Sequence, residues 1–144
     1  MSTILGFDFG EVRIGVAMGS TELGIAHPLE TIAFEENDKK FARIEALIKE
    51  WQPSSLVVGL PSYLDGAEHE MSRLARKFAN RLTGRFSLPV HLVDERLSSA
   101  GATQALNEIG VRGRKQKPAL DQVAAMQILQ AYFDGSGIVN DVNE

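Results

Sequence analysis

The sequence predicts an α/β fold in which a mixed five-stranded sheet, made of an antiparallel three-strand meander and parallel strands, carries helices on both faces. Two observations support this prediction. The first 32 residues contain three strand-like segments separated by short turns, which is typical of an antiparallel meander. The rest of the chain alternates short apolar runs with amphipathic segments, which is typical of parallel strands connected by helices.

The strands are recognised by their alternation and by their apolar content. Successive side chains point to opposite faces of a strand, and residues 3–9 and 12–18 alternate between apolar and other residues in this way. Residues 24–32 form a weaker third strand. Residues 55–60 and 88–93 are short apolar runs, the pattern expected of strands that are covered on both faces. These five segments make up the predicted sheet.

Four segments have the apolar spacing of amphipathic helices. They are a segment that has its cap at Asn37 or Asp38 and ends at Trp51, and residues 67–82, 98–109 and 118 to about 133. Pro118 suits the first position of the last helix, where its missing N–H leaves no hydrogen bond unmade. The element order is therefore βββ-α-β-α-β-α-α, and no linker divides it. We expect one domain over residues 1–134 and a flexible C-terminal tail over residues 135–144.

Length and composition narrow the possible classes of protein. The chain has 144 residues, 44% of them hydrophobic, which is enough for one domain with a core of its own. No apolar run reaches about 18 residues, so we expect no membrane-spanning helix, and the N-terminus lacks the features of a secretory signal. Cysteine is absent, which excludes disulfides and thiolate metal sites. We therefore expect a cytoplasmic protein with no membrane partner.

The net charge of -4 conceals an uneven distribution of charge. Residues 1–70 hold 5 Lys or Arg against 12 Asp or Glu, whereas residues 71–133 hold 10 against 4. An acidic protein can bind a polyanion when its basic residues share a face and metal ions mask some of its carboxylates. The alternative is that the two halves interleave in the fold, in which case the asymmetry has no functional meaning.

Three acidic residues occupy positions where a packed core is expected. Asp8 lies within the first strand, between two phenylalanines. Glu95 lies just beyond the last strand, where open α/β sheets tend to place their ligand sites. Asp121 lies in the first turn of the last helix, on the side of its apolar face. An ionised carboxylate that is buried without a partner costs several kcal/mol, so each of these residues requires an explanation.

Each acid can be explained separately by a structural role, without catalysis or metal binding. Asp8 can accept hydrogen bonds from the amides of its own turn, Glu95 can pair with its neighbour Arg96, and Asp121 can stabilise a helix N-terminus. The alternative explains all three together, as oxygen ligands that converge on Mg²⁺ or Mn²⁺. Such carboxylates can hold two ions, one activating water and the other stabilising the leaving oxygen of a phosphodiester.

Four sequence motifs resemble a known protein family. The segments GFDFGEVRIGVA, VVGLP followed by DG, VDERLSS and LDQVAAMQIL match, in order and spacing, the signatures of the YqgF (RuvX) family. The resemblance extends from about Thr3 to Phe133. It implies an RNase H-like fold and metal-dependent hydrolysis of phosphodiester bonds. It also implies that Asp8, Glu95 and Asp121 are the catalytic residues and the metal ligands, with two ions bound when substrate is present.

The family is described both as similar to Holliday junction resolvases and as nucleases of pre-16S ribosomal RNA. The resemblance therefore implies an endonuclease of structured nucleic acid, and we expect it to process the 5′ end of pre-16S rRNA in ribosome biogenesis. A Holliday junction resolvase acting on branched DNA and a non-catalytic rRNA-binding assembly factor stay open as alternatives. A sugar-kinase-like ATPase, which also begins with a strand and D-x-G, is disfavoured because such enzymes close two domains around their nucleotide.

Basic residues form the predicted contact surface for nucleic acid. The resemblance suggests roles for Arg13 and Arg96. The outer face of the second helix and the loop before the last helix add eight more, namely Arg73, Arg76, Lys77 and Arg81 on the helix and Arg112, Arg114, Lys115 and Lys117 in the loop. Such residues contact phosphates and make binding salt-dependent. An ordinary solvated helix face is the alternative for the helical group.

The expected partners are nucleic acid and the ribosome or its precursor. A resolvase that cuts two strands symmetrically needs a two-fold dimer. The apolar faces of this chain can all be used in one core, so we expect a monomer or a weak homodimer.

Overall fold

The computed structural model describes residues 2–10, 13–33, 36–60, 70–94, 116–135 and 138–139. Within these ranges the elements, in chain order, are β1 (Thr3–Phe9), β2 (Ile14–Ser20), β3 (Ile25–Ile32), α1 (Asn37–Trp51), β4 (Ser55–Leu60), α2 (Glu70–Phe86), β5 (Val90–Asp94), α3 (Gln116–Asp134) and β6 (Ile138–Val139). The predicted helix over residues 98–109 lies outside the described residues. None of the described helices is long and apolar enough to cross a membrane.

The described strands form one mixed sheet in the order β3-β2-β1-β4-β5-β6. Strands β1, β2 and β3 pair antiparallel, while β4 pairs parallel with β1 and β5 pairs parallel with β4. The five strands of the predicted sheet are confirmed. A sixth strand, β6, pairs antiparallel with β5 and falls within the segment for which the sequence predicts a flexible tail. Two residues are too few for alternation to be visible in a sequence.

The sheet separates two apolar cores. On one face, α1 and α2 cover a core that includes Leu5 and Phe7. On the other face, α3 covers a smaller core that includes Ile4 and Val57. Because side chains alternate along a strand, consecutive residues of β1 contribute to opposite cores. The prediction of helices on both faces of the sheet is therefore confirmed. Leu5 and Phe7 of β1 face α1 and α2, and Ile4 faces α3.

The edge strand β3 is held by a glutamine of α3. The side-chain oxygen of Gln130 accepts the backbone N–H of Ala26 at 3.0 Å, and its amide nitrogen donates to the carbonyl oxygen of Gly24 at 2.8 Å. Pro28 is tolerated in β3 because an edge strand can present a residue without an N–H. The side chain of Gln130 therefore makes hydrogen bonds to backbone groups at the sheet edge that have no neighbouring strand to pair with.

Loss of this amide should loosen the edge strand. Gln130→Ala removes a donor and an acceptor from the β3 backbone, so we expect the free energy of unfolding to fall by about 1 kcal/mol in urea titrations. Gln127→Ala is the matched control, since Gln127 makes no side-chain hydrogen bond to another described residue. Equal unfolding free energies for the two variants would contradict the role of Gln130.

Candidate active site

Asp8 lies near the carboxyl end of β1, on the face that α3 covers. The alternation of β1 places Ile4, Gly6 and Asp8 on this face, and Ile4 belongs to the core beneath α3. Helix α3 packs closely against β1 at Gly6, where an added Cβ would lie 2.9 Å from the Cβ of Leu129. Asp8 is half-buried, two residues further along the same face.

Asp121 is brought to Asp8 by a glycine of β2. Gly15 pairs directly with Asp8 across the antiparallel ladder, and directly opposite residues have their side-chain positions on the same face. A Cβ on Gly15 would lie only 1.9 Å from the backbone oxygen of Asp121. The first turns of α3 therefore rest on the bare backbone of Gly15, and the two aspartates are neighbours although 113 positions separate them in the chain.

Arg13 holds the carboxylate of Asp121. Its Nε donates to Oδ2 of Asp121 at 2.6 Å, with the two side chains 35% and 20% exposed. Hydrogen bonds between charged partners are shorter and stronger than neutral ones, so this contact orients the acid at the end of the sheet. The sequence predicts Arg13 as a contact for nucleic acid and contains no sign of the ion pair, since the partners lie far apart in the chain.

The third predicted acid, Glu95, lies outside the described residues. It directly follows Asp94, the last residue of β5. Because β1, β4 and β5 are parallel, their carboxyl ends meet at the same edge of the sheet. The predicted contacts Arg96, Arg112, Arg114 and Lys115 also lie outside the described residues, as does the side chain of Lys117.

The two described acids suit a divalent cation in their chemistry. Asp8 and Asp121 supply carboxylate oxygens, which are the ligands that Mg²⁺ and Mn²⁺ prefer. Among the residues that the structure describes, no group of three His, Cys, Asp or Glu side chains is placed to hold a metal ion. A complete ligand set therefore needs a further donor, and Glu95 is the acid that the sequence predicts for it.

Helix α2 carries the described part of the predicted basic surface. Its apolar side is buried at Ala75, Phe78 and Leu82, as the helical spacing predicts. Arg73 is tied to Glu70 within the helix, and its Nε donates to Glu70 at 3.1 Å. This hydrogen bond lowers the pKa of Glu70 and raises that of Arg73. The charge of Arg73 is thus already matched by a neighbouring carboxylate.

Comparison with known proteins identifies the family. A family model described as RuvX, Holliday junction resolvase, matches residues 2–135. The chain belongs to the RuvX family. A relative from Methylobacillus flagellatus, whose name is "Putative pre-16S rRNA nuclease", is 69% identical over 92% of this chain and 90% of its own length. A relative of the same name from Chromobacterium violaceum is 63% identical over 92% of this chain and 98% of its own length.

The architecture also matches that of a solved structure of RuvC. The structure of RuvC from Thermus thermophilus in complex with a Holliday junction substrate covers 96% of this chain and 100% of its own, with a TM-score of 0.57 and 14% identity. A likeness at this identity concerns the fold, and it confirms the predicted RNase H-like class. Membership of the RuvX family confirms the predicted enzyme class, a nuclease that hydrolyses phosphodiester bonds.

Proposed function

We propose that this RuvX family member is a Mg²⁺- or Mn²⁺-dependent endonuclease of structured nucleic acid that processes the 5′ end of pre-16S rRNA in the cytoplasm. The observation that carries the proposal is the placement of Asp8 and Asp121 side by side at one end of the sheet. The names of the relatives from Methylobacillus and Chromobacterium support the choice of substrate.

In this proposal the acids hold the metal and the basic residues hold the polymer. Asp8, Asp121 and Glu95 are the metal ligands, and bound ions supply the activation of water and the neutralisation of the leaving oxygen. Asp8 is kept in place by the ladder of β1, and Asp121 is oriented by Arg13. Lys77 of α2, with Arg96, Arg112, Arg114, Lys115 and Lys117, contacts phosphates, and Arg73 does so if it leaves Glu70.

Arg13 has two successive partners in this mechanism. Without a cation its guanidinium neutralises Asp121. If Asp121 held a divalent cation, it would no longer need that neutralisation, and the half-buried guanidinium of Arg13 would be available to a substrate phosphate. The same residue therefore competes with the metal for one carboxylate and binds the substrate beside it.

Replacement of Arg13 should separate its competition with the metal from its binding of the substrate. We expect Arg13→Gln to bind Mn²⁺ about fivefold more tightly, because an ion pair worth about 1 kcal/mol no longer competes for Asp121. Cleavage should fall about tenfold, the value of one charged hydrogen bond to a phosphate. Calorimetric titration with Mn²⁺ measures the first effect. Arg43→Gln, which breaks the ion pair with Glu30, is the control, and weaker Mn²⁺ binding by Arg13→Gln would contradict the competition.

A Holliday junction resolvase is the second candidate, and the description of the family favours it. Symmetric cutting of two strands needs a two-fold dimer, whereas we propose a monomer or a weak homodimer. Light scattering at micromolar protein distinguishes these states. A tight dimer would favour the resolvase.

A cleavage assay with two labelled substrates tests the proposed function. One substrate is a precursor of the 5′ end of small-subunit rRNA and the other is a four-way DNA junction, each with Mg²⁺, Mn²⁺ or EDTA. We expect the RNA to be cut only with a divalent metal and only when Asp121 is intact, with Asp121→Asn as the inactive variant. Cutting of the junction alone would favour the resolvase, and binding without cutting would favour a non-catalytic assembly factor.

A further inference from the structure

A pocket opens on the face of the sheet opposite to Asp8. It lies between α1, α2 and the facing residues of β1 and β2, and its volume is about 310 Å³. Pockets for small ligands measure about 300–1,000 Å³, so this one suits a single small group. Three phenylalanines and three basic residues are among its lining residues, namely Phe9, Phe41, Phe78, Lys40, Lys77 and Arg81.

The aromatic part of the pocket is a packed cluster with one accessible ring. The ring centroids of Phe9 and Phe78 are 4.9 Å apart, and those of Phe41 and Phe78 are 5.9 Å apart. Phe41 and Phe78 are buried, whereas Phe9 is half-buried at the end of β1. Phe9 therefore offers a ring to a ligand, and the two buried rings hold it in position.

Two of the three basic residues that line the pocket, Lys77 and Arg81, lie beside each other. Lys77 and Arg81 are four residues apart on α2, so their side chains are neighbours on one side of the helix. Both are exposed, and neither pairs with a carboxylate of the described residues. Arg73, one turn earlier, differs from them because Glu70 neutralises it. Two positive charges that no described carboxylate pairs with thus stand beside an accessible aromatic ring.

We propose that this pocket binds one unstacked nucleotide, with its base against Phe9 and its phosphate against Lys77 and Arg81. The flat apolar faces of a base stack on aromatic side chains irrespective of sequence, and a phosphate next to the base meets the two cations. That the ligand is a nucleotide follows from the aromatic and basic residues that line the pocket. The claim that the nucleotide belongs to the substrate strand rests on the proposed function.

The pocket has a defined place relative to the acids. Phe9 directly follows Asp8 in β1, so the pocket and the acids lie at the same end of that strand and on opposite faces. A strand whose nucleotide is held against Phe9 is thereby fixed close to Asp8. The enzyme then favours substrates that have an unpaired nucleotide next to the bond that is cut.

Binding without cleavage tests the inference. The fluorescence anisotropy of a short labelled single-stranded RNA is measured in EDTA over a range of salt concentrations. We expect Phe9→Leu to weaken binding about tenfold, in keeping with the loss of one stacked base, and Phe9→Tyr, which keeps the ring, to bind like the parent. The double variant Lys77→Gln/Arg81→Gln should lower the slope of log K against log salt concentration by about 0.7, the value for the one phosphate that the two cations hold.

Two controls distinguish binding in the pocket from non-specific attraction between RNA and the positive charges of the protein. Lys39→Gln/Lys49→Gln removes the same charge from exposed sites on α1, where each lysine lies near a glutamate, and should leave the slope nearly unchanged. An RNA in which every position is abasic should make Phe9→Leu and the parent bind alike. Unfolding curves of all variants check that the fold is retained.

The outcomes distinguish this inference from the proposed function. If Phe9→Leu and Lys77→Gln/Arg81→Gln bind the RNA as the parent does, or if the parent binds no nucleotide at all, the inference is overturned, even where the parent cuts RNA. If free adenosine monophosphate binds with the same dependence on Phe9 and Lys77 while RNA does not, the nucleotide site stands and its link to a strand is lost. If the parent fails to cut but these variants weaken RNA binding, the inference stands and the proposed function fails.

Discussion

Replacement of Asp8 by asparagine is expected to lower the rate of RNA cleavage about 10³-fold while the protein folds as before. The two side chains have the same shape, so the β1–β2 ladder and the packing under α3 keep their geometry. Asparagine lacks the negative charge that attracts a divalent cation. Loss of about 4 kcal/mol of transition-state stabilisation, typical of what a catalytic metal supplies, corresponds to this factor.

Single-turnover cleavage assays measure the loss, and urea unfolding measures the stability of the same sample. Asp38→Asn is the control, because Asp38 is an exposed aspartate in the first turn of α1, away from the acids. This variant should cut at the rate of the parent. An Asp8→Asn protein that folds and cuts as fast as the parent would exclude Asp8 as a metal ligand.

Replacement of Gly15 by alanine is expected to damage both stability and activity. The added Cβ would lie 1.9 Å from the backbone oxygen of Asp121 and 2.4 Å from its carbonyl carbon. Backbone atoms cannot turn aside as a flexible side chain can, so the start of α3 must move away from the sheet. We expect the free energy of unfolding to fall by about 3 kcal/mol, at the upper end of the usual cost of overpacking.

The same displacement moves Asp121 away from Asp8. A shift of about 1 Å in a catalytic group can cost about 10²-fold in rate, and we expect a loss of that order in the folded fraction of Gly15→Ala. Gly84→Ala is the matched control, since nothing lies within 4 Å of its added Cβ and the residue is in α2. It should gain about 0.5–1 kcal/mol in unfolding free energy and keep full activity. Full activity of folded Gly15→Ala would contradict the close approach of α3.

Local pattern was enough to predict most of the fold. The alternation of β1 and β2, the apolar run of β4 and the helical spacing of α2 each lie within a few residues, and they match the observed elements. The short edge strand β6 could not be predicted in this way, because its partner β5 rather than its own sequence defines it.

The candidate site was predictable in its residues and less so in its contacts. Asp8 stood out because a carboxylate interrupts an apolar strand, and Asp121 because it shares the apolar side of its helix. Two contacts of the site could not be predicted, namely the ion pair of Arg13 with Asp121 and the close packing of α3 on Gly15. Both depend on the order of the strands and on where α3 lies on the sheet, and no local sequence pattern contains that information. The pocket around Phe9 was missed for the same reason, since four different elements line it.

The central claim is that Asp8 and Asp121 together hold the catalytic cation, and Mn²⁺ binding tests it most directly. Calorimetric titration compares the parent with Asp121→Asn and with Asp134→Asn, which changes an exposed aspartate at the far end of the same helix. The account predicts that Asp121→Asn binds Mn²⁺ at least about tenfold more weakly, the effect of losing about 1.4 kcal/mol, while Asp134→Asn binds like the parent. Equal Mn²⁺ affinity in all three proteins would contradict the account.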